Sequence, residues 1–223
     1  MVNLVTYIYA DFANEISSTY EFRRSAAEFG YQITNVANKK RHVGNGEVLR
    51  LLYGVYKELS GPVIYADGAD SFFLRAMVVP HDRILYSTEK AIWPPVEELK
   101  NAWADHPKRS HWCYLNGGGY AGPAELIAEF FERYGLTNQP GDANGQWQQA
   151  EAYLRAKSDG FPIDLDQDCN EFQTIGFTDP EDFSCKQGIL INNWTGTTPA
   201  LIHGNGRTPM QWVYDLMPAN VGV

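Results

Sequence analysis

The chain has 223 residues, 44% of them hydrophobic and 20% charged, a globular balance that excludes a disordered ground state. Twenty-seven acidic residues outweigh 18 basic ones, and the net charge of −9 disfavours sequence-independent binding to nucleic acid or anionic membranes. The three cysteines form no C-x-x-C pair, which excludes zinc-finger spacing and points to reduced thiols, with a Cys169–Cys185 disulfide left open.

Residues 2–9 (VNLVTYIY) are β-branched and aromatic and read as a first strand. They carry neither a basic lead nor the apolar core of a signal peptide, and nothing approaches the roughly 20 apolar residues of a membrane span. A cytoplasmic location with no membrane partner is therefore expected, as for a viral or bacterial protein acting in a host cytoplasm. The Asn193-Trp194-Thr195 sequon reads as coincidence. A helix is expected over 18–29, a strand over 31–36, a break at Gly44-Asn45-Gly46 and a helix over 47–59, where Val48, Leu51, Leu52, Val55 and Leu59 fall at helical spacing.

Val63–Ala66 forms a short apolar strand that runs into Asp67-Gly68-Ala69-Asp70. A strand over 83–88 and a helix near 95–104, opened by Pro94-Pro95, follow. The strand over 112–115 is expected to end at Asn116-Gly117-Gly118-Gly119. Next come a helix over 123–134 with Pro in its first turn, a loop, and a helix over 146–157. Strands near 162–165, 171–176, 188–192 and 200–204 precede a closing helix over 209–217. Strand–helix alternation in the first half implies an α/β fold with a mostly parallel, Rossmann-like sheet flanked by helices. No linker or repeat interrupts residues 1–223, so one domain is expected.

Ligands of open parallel sheets bind beyond the carboxyl ends of the strands, where Asp67 and Asp70 stand. Two carboxylates three residues apart can meet on one divalent cation, and Mn²⁺ also accepts imidazole. A helix cap at Asp67 and a solvated turn at Asp70 fit the same residues. His203 ends an apolar strand before Gly204-Asn205-Gly206, where the backbone can approach a phosphate, although a core histidine reads the same way. Gly117–Gly119 either make room for a substrate or form a flexible loop. Trp93 either stacks on a sugar or fills the core.

Taken in order, these segments resemble the glycosyltransferase domain of the procollagen lysyl hydroxylases and related collagen-type glycosyltransferases. The matching stretches are Val63–Asp70, Ile84–Glu89 with Trp93-Pro94, Leu115–Gly122, Ile163–Asp166 with Cys169 and Phe172-Gln173, and Ile202–Gly206, with Arg24-Ser25-Ala26 and Gly44–Gly46 earlier. The resemblance covers roughly residues 3–215. It implies a GT-A-like fold, a UDP-sugar donor and Mn²⁺ (or Mg²⁺) held by Asp67, Asp70 and His203. It implies a donor-binding half over about 1–110 and an acceptor and metal-completing half over about 111–223. Thr6, Tyr7, Tyr9, Ala66, Asp67, Gly68, Asn116, Gly117, Gly118, Gly204, Asn205 and Gly206 would then face the nucleotide sugar, with Trp93 near donor and acceptor.

Two departures matter. The family's acidic run reads Asp142-Ala143-Asn144-Gly145-Gln146 here, which leaves Asp142, then Glu89, as the catalytic carboxylate. The family's lysine after the early glycines is replaced by Glu47-Val48, leaving Arg50 or Lys39, Lys40 and Arg41 for the diphosphate. The function expected is metal-dependent hexose transfer from a UDP-sugar to an acceptor hydroxyl, hydroxylysine-like or other. The alternatives are transfer to modified DNA bases and a catalytically weak nucleotide-sugar-binding module. The sugar, the acceptor and the oligomeric state stay open.

Overall fold

The computed structural model describes residues 2–8, 16–37 and 44–217. The main sheet contains β1 (Asn3–Thr6), β2 (Gln32–Asn35), β3 (Pro62–Ala66), β5 (Ile84–Glu89), β6 (Tyr114–Pro123) and β7 (Ile163–Leu165), in the order β2-β1-β3-β6-β5-β7. β1 is parallel to β2 and β3, and β5 is parallel to β7. Only β6 runs against its neighbours, so the sheet is mostly parallel. A second sheet orders β4 (Ser71–Phe73), β11 (Leu201–His203) and β8 (Phe172–Thr174) as β4-β11-β8, and β9 (Phe183–Lys186) pairs with β10 (Ile189–Asn192).

The helices are α1 (Ile16–Glu28), α2 (Asn45–Glu58), α3 (Glu97–Ala102), α4 (Ala124–Arg133), α5 (Gly145–Ser158) and α6 (Gln211–Leu216). α2, α4 and α5 cover one face of the main sheet, where Leu52, Phe130 and Tyr153 pack with Tyr65, Tyr86 and Tyr120. On the other face, Phe22 and Ala26 of α1 pack with Leu4, Ile64 and Ala121 and with Phe73 and Leu201 of the second sheet. A third cluster around Phe72, Trp112, Ile202 and Val213 lies on the far side of that sheet. The β4-β11-β8 sheet is thus buried on both faces.

The largest difference from the sequence reading is β6. It does not stop at Asn116 but continues through the glycines to Pro123. Both of its edges are paired: Gly119 lies opposite Ala66, and Tyr120 lies between Tyr65 and Tyr86. The glycines there serve close packing rather than flexibility, since a Cβ on Gly119 would stand 2.9 Å from the Phe172 ring. β4 and β9 were not expected, β1 is shorter than 2–9, and Pro123 caps α4 instead of entering its first turn. No helix follows Asp67, so its helix-cap reading fails. Cys113, Cys169 and Cys185 are all free thiols, so the Cys169–Cys185 disulfide is absent. Among the described residues, no helix is long and apolar enough to cross a membrane.

Asp166 joins the two sheets. Its N–H donates to Tyr86 O of the main sheet. Its buried carboxylate accepts the backbone N–H groups of Asn170, Glu171 and Phe172 at 3.0, 2.7 and 2.8 Å. Removing the acceptor leaves these donors unmatched at about 1 kcal/mol or more each, so Asp166→Ala is expected to lose about 3 kcal/mol of stability. Urea denaturation checks this, and a loss below about 1 kcal/mol would contradict the role given to the carboxylate.

Candidate active site

Asp67 and Asp70 occupy the turn by which the chain leaves the main sheet and enters the second one. Asp67 N–H donates to Gly118 O at 3.0 Å, extending the β3–β6 pairing, and Asp70 O accepts Gly204 N–H at 2.7 Å, extending the β4–β11 pairing. Both ends of the turn are therefore held by backbone. β11 brings His203 opposite Ser71, so its imidazole arrives at the same place. His203 Nε2 lies 3.4 Å from Asp70 Oδ1 and 3.8 Å from Asp67 Oδ2. One donor atom from each of the three side chains lies within 4.8 Å of the others.

Two neighbours orient this cluster. Tyr65 Oη donates to Asp67 Oδ1 at 2.7 Å. Asn116 Oδ1 lies 3.1 Å from His203 Nδ1 and accepts Gly118 N–H at 3.0 Å. Because the Asn116 oxygen is an acceptor, Nδ1 carries a hydrogen, and Nε2 is the ring atom that faces the two carboxylates. Gly118 makes the approach feasible, since a Cβ there would stand 2.1 Å from His203 Cε1.

The electrostatics are those of an enclosed, acidic site. Burial alone would lower the His203 pKa, but the charge and hydrogen bond of Asp70, then the charges of Asp67 and Glu89, raise it to about 9. Enclosure raises Asp67 to about 6; the His203 charge opposes that rise, the Asp70 charge adds to it and the Tyr65 hydrogen bond opposes it. The 42% of the Asp67 side chain that meets solvent moderates this rise. Glu89, 3% exposed, is pushed up to about 7 by burial, against the hydrogen bonds it accepts. Its Oε2 accepts Asn205 Nδ2 at 2.8 Å, and its Oε1 accepts Gln146 Nε2. A carboxyl group balanced near neutral pH can take or give a proton.

A cavity of about 250 Å³ adjoins the cluster. Asp67, Trp93, Gly117, Gly118 and Gln146 line it, with Tyr65, Gln149 and α2 residues including Leu49 and Leu52. Trp93 is 54% exposed, so it does not fill the core. The other expected residues divide by their surroundings. Thr6 is buried and its hydroxyl donates to Ala66 O at 2.7 Å, while Ala66 is itself buried. Gly68 lies against Thr6 and Ile8, where a Cβ would stand 2.6 Å from each. Gly204 packs on Met210, and Gly206 takes a φ of 69° in the turn after β11. Tyr7 packs against the α2-side core. Tyr9, Lys39, Lys40 and Arg41 lie outside the described residues.

Asp142 is exposed in the turn before α5 and is not among the residues lining the cavity. Arg50 is engaged by Glu47 at 2.6 Å and by Gln139 O at 2.9 Å. Sequence reasoning missed Tyr65 and the cavity-lining side of α2. The period-2 rule links Tyr65 to Asp67, but the α2 residues read only as core.

The mostly parallel α/β sheet flanked by helices is that of a glycosyltransferase domain of the GT-A-like class. The chain belongs to one family within it: residues 60–214 match the PLOD GT domain. It is 24% identical over 213 residues to procollagen-lysine,2-oxoglutarate 5-dioxygenase 2 of Mus musculus, covering 85% of this chain and 28% of that protein. It is 26% identical over 216 residues to procollagen-lysine,2-oxoglutarate 5-dioxygenase 1 of Rattus norvegicus and over 215 residues to that of Homo sapiens, covering 86% of this chain and 29% of each. The chain thus spans less than a third of the length of these relatives.

Glu89 yields a pH prediction. Its folded pKa of about 7 exceeds the ordinary 4.5, so the folded state holds the extra proton, and stability falls as pH rises through that window. Glu89→Gln removes the ionisation. In metal-free protein, the melting temperature of the variant relative to the parent is expected to increase from pH 5 to pH 8. A pH-independent difference would show that Glu89 ionises as an ordinary surface carboxylate.

Proposed function

We propose that this domain is a metal-dependent hexosyltransferase that moves a sugar from a UDP-sugar to an acceptor hydroxyl. The observation that carries the proposal is the convergence of Asp67, Asp70 and His203 at the mouth of a cavity large enough for a monosaccharide. The donor set fits a divalent cation: two carboxylate oxygens suit Mg²⁺ or Mn²⁺, and the imidazole nitrogen favours Mn²⁺. With Asn116 Oδ1 beside His203 Nδ1, Nε2 is the ring atom that would exchange its proton for such an ion. A cation held there supplies neutralisation of the charge on a departing diphosphate.

The protein's own groups have separate tasks. Gly117 and Gly118 bring bare backbone to the donor, and the exposed Trp93 ring offers an apolar face to its sugar. The uridine is assigned to the end of β1 around Tyr7, with buried Thr6 as a positioning residue. In the transfer, the bond from the anomeric carbon to the diphosphate oxygen breaks, and a bond from that carbon to the acceptor oxygen forms. The acceptor proton passes to a carboxylate, and UDP departs. Neither carboxylate itself lines the cavity, and Glu89 is the better one for this because it is near neutrality and bonded to Gln146 on the cavity wall, whereas Asp142 is exposed. The free thiols suit the reducing cytoplasm we assign to the domain.

One observation favours a second reading, that of a binding module: neutral Asn144 lines the cavity in the stretch where the family resemblance implies an acidic run. UDP release from a panel of UDP-hexoses with Mn²⁺ separates the two, since a module binds donor without turnover. Asp67→Ala and His203→Ala are each expected to lower Mn²⁺-dependent UDP release by about 100-fold or more. If both retain the parental rate and Mn²⁺ dependence, the metal assignment is wrong.

A further inference from the structure

β8 and β11 run parallel and end together, with Thr174 opposite His203. β4 runs the other way, with Ser71 opposite His203, so Asp70 lies at the same end. The chain leaving β8 therefore emerges beside the Asp70–His203 pair. It makes a β-turn over 175–178, closed by Thr178 N–H to Ile175 O at 3.3 Å and by the Thr178 hydroxyl to the same carbonyl at 2.7 Å.

The third residue of this turn is Phe177, with a φ of 60°. Turn chemistry favours glycine or asparagine at such a position, and a bulky side chain there is strained. The turn does contain a glycine, but one place earlier, where another constraint requires it. A Cβ on Gly176 would stand 2.7 Å from the Asn205 amide, and Gly176 N–H donates to Asn205 Oδ1 at 2.7 Å. Phe177 gains no packing in return: it is 74% exposed and belongs to none of the three core clusters. A phenyl ring that is neither buried nor in a favoured conformation has no folding reason to occupy this position.

Hydrogen bonds connect Gly176, the residue before Phe177, to the site. Asn205 links Gly176 to Glu89, and Glu89 accepts from Gln146, whose amide nitrogen also lies 3.4 Å from Trp93 O. This network, centred on Glu89, runs from the Gly176 backbone, next to exposed Phe177, to the backbone carbonyl of exposed Trp93, and of the two aromatic residues only Trp93 lines the cavity. Phe177 is three residues beyond Thr174, within about 10 Å of Thr174 and so within about 15 Å of the His203 position by chain reach.

We propose that Phe177 is the acceptor-binding residue of this site and stacks on the C–H face of a pyranose ring of the acceptor. The assignment rests on the transferase reading above and identifies its acceptor as a saccharide. A pyranose joins one apolar face to a rim of hydroxyls. The exposed phenyl ring of Phe177 presents a surface that matches the apolar face.

The test is an acceptor titration on the full chain with saturating UDP-hexose and Mn²⁺. The probes are methyl glycosides of glucose, galactose, mannose and N-acetylglucosamine, compared with hydroxyl-bearing peptides. At least one glycoside is expected to be used. Phe177→Ala and Phe177→Gly are each expected to raise its KM about tenfold while kcat stays within about threefold, and Phe177→Trp keeps KM within about threefold of the parent. Phe177→Gly is expected to melt no lower than the parent, because glycine accepts the left-handed turn position; this separates lost binding from lost folding. An unchanged acceptor KM in both truncations, or transfer confined to peptides, overturns the assignment. Absence of UDP release from the parental protein with every donor instead overturns the transferase reading, and this assignment with it.

Discussion

The site depends on one backbone constraint: the Asp67–Asp70 turn is fastened at one end to the main sheet and at the other to the second sheet. Asp67 N–H bonds to Gly118 O, and Asp70 O bonds to Gly204 N–H. The carboxylates therefore inherit their separation from the relative position of two sheets, not from flexible side chains. This requires the sheets to meet closely, and β6 allows it by presenting glycine where His203, Asp67 and Phe172 press against it. A methyl group at Gly118 or Gly119 would collide with an imidazole or a phenyl ring that is buried and has little room to move.

Close packing has an electrostatic consequence. Three carboxyl groups and one imidazole crowd together, with His203 and Glu89 buried and Asp67 and Asp70 partly open to solvent, and the proton affinities of Glu89, Asp67 and His203 shift. Glu89 and Asp67 are raised by enclosure, and His203 is raised by the carboxylates despite its burial. Such a cluster favours positive charge, either a protonated imidazole or a bound cation. The surrounding amides are committed. Asn116 serves His203 and Gly118, and Asn205 serves Glu89 and Gly176. They hold the reactive groups in place, which is a different task from touching a donor.

The departures from the family pattern have a local explanation in the structure. Glu47 stands in the stretch where the family's lysine is expected, and it engages the nearby Arg50 in an ion pair. At the start of α5, Asn144 caps the helix by accepting Trp147 N–H, and Gln146 bonds to Glu89. The thinned acidic run thus leaves neutral residues, Asn144 among them, in the stretch before a glutamine that bonds to a glutamic acid itself near neutrality. Additional acidic groups there would raise the Glu89 pKa further by like-charge repulsion.

The sequence by itself determined what depends on short-range patterns. Strand–helix alternation through Leu59, the apolar run before Asp67 and the strand ending at His203 are local signals of burial and period, and each marks an element that formed within a few residues of its expected span. The order of the motifs identified the family, and the D-x-x-D turn with His203 was legible because both follow apolar strands. The tertiary structure alone decided the rest. The glycines of β6 read as a loop because the pairing that makes them a strand comes from β3 and β5, far away in the chain. β4 was hidden because a three-residue strand has too few side chains to show a period. The buried, near-neutral state of Glu89, the exposure of Asp142 and the orientation of the His203 ring arise from enclosure and from hydrogen bonds between residues 57 to 116 positions apart. No local pattern carries that information, because these properties belong to the space between the two sheets rather than to either strand.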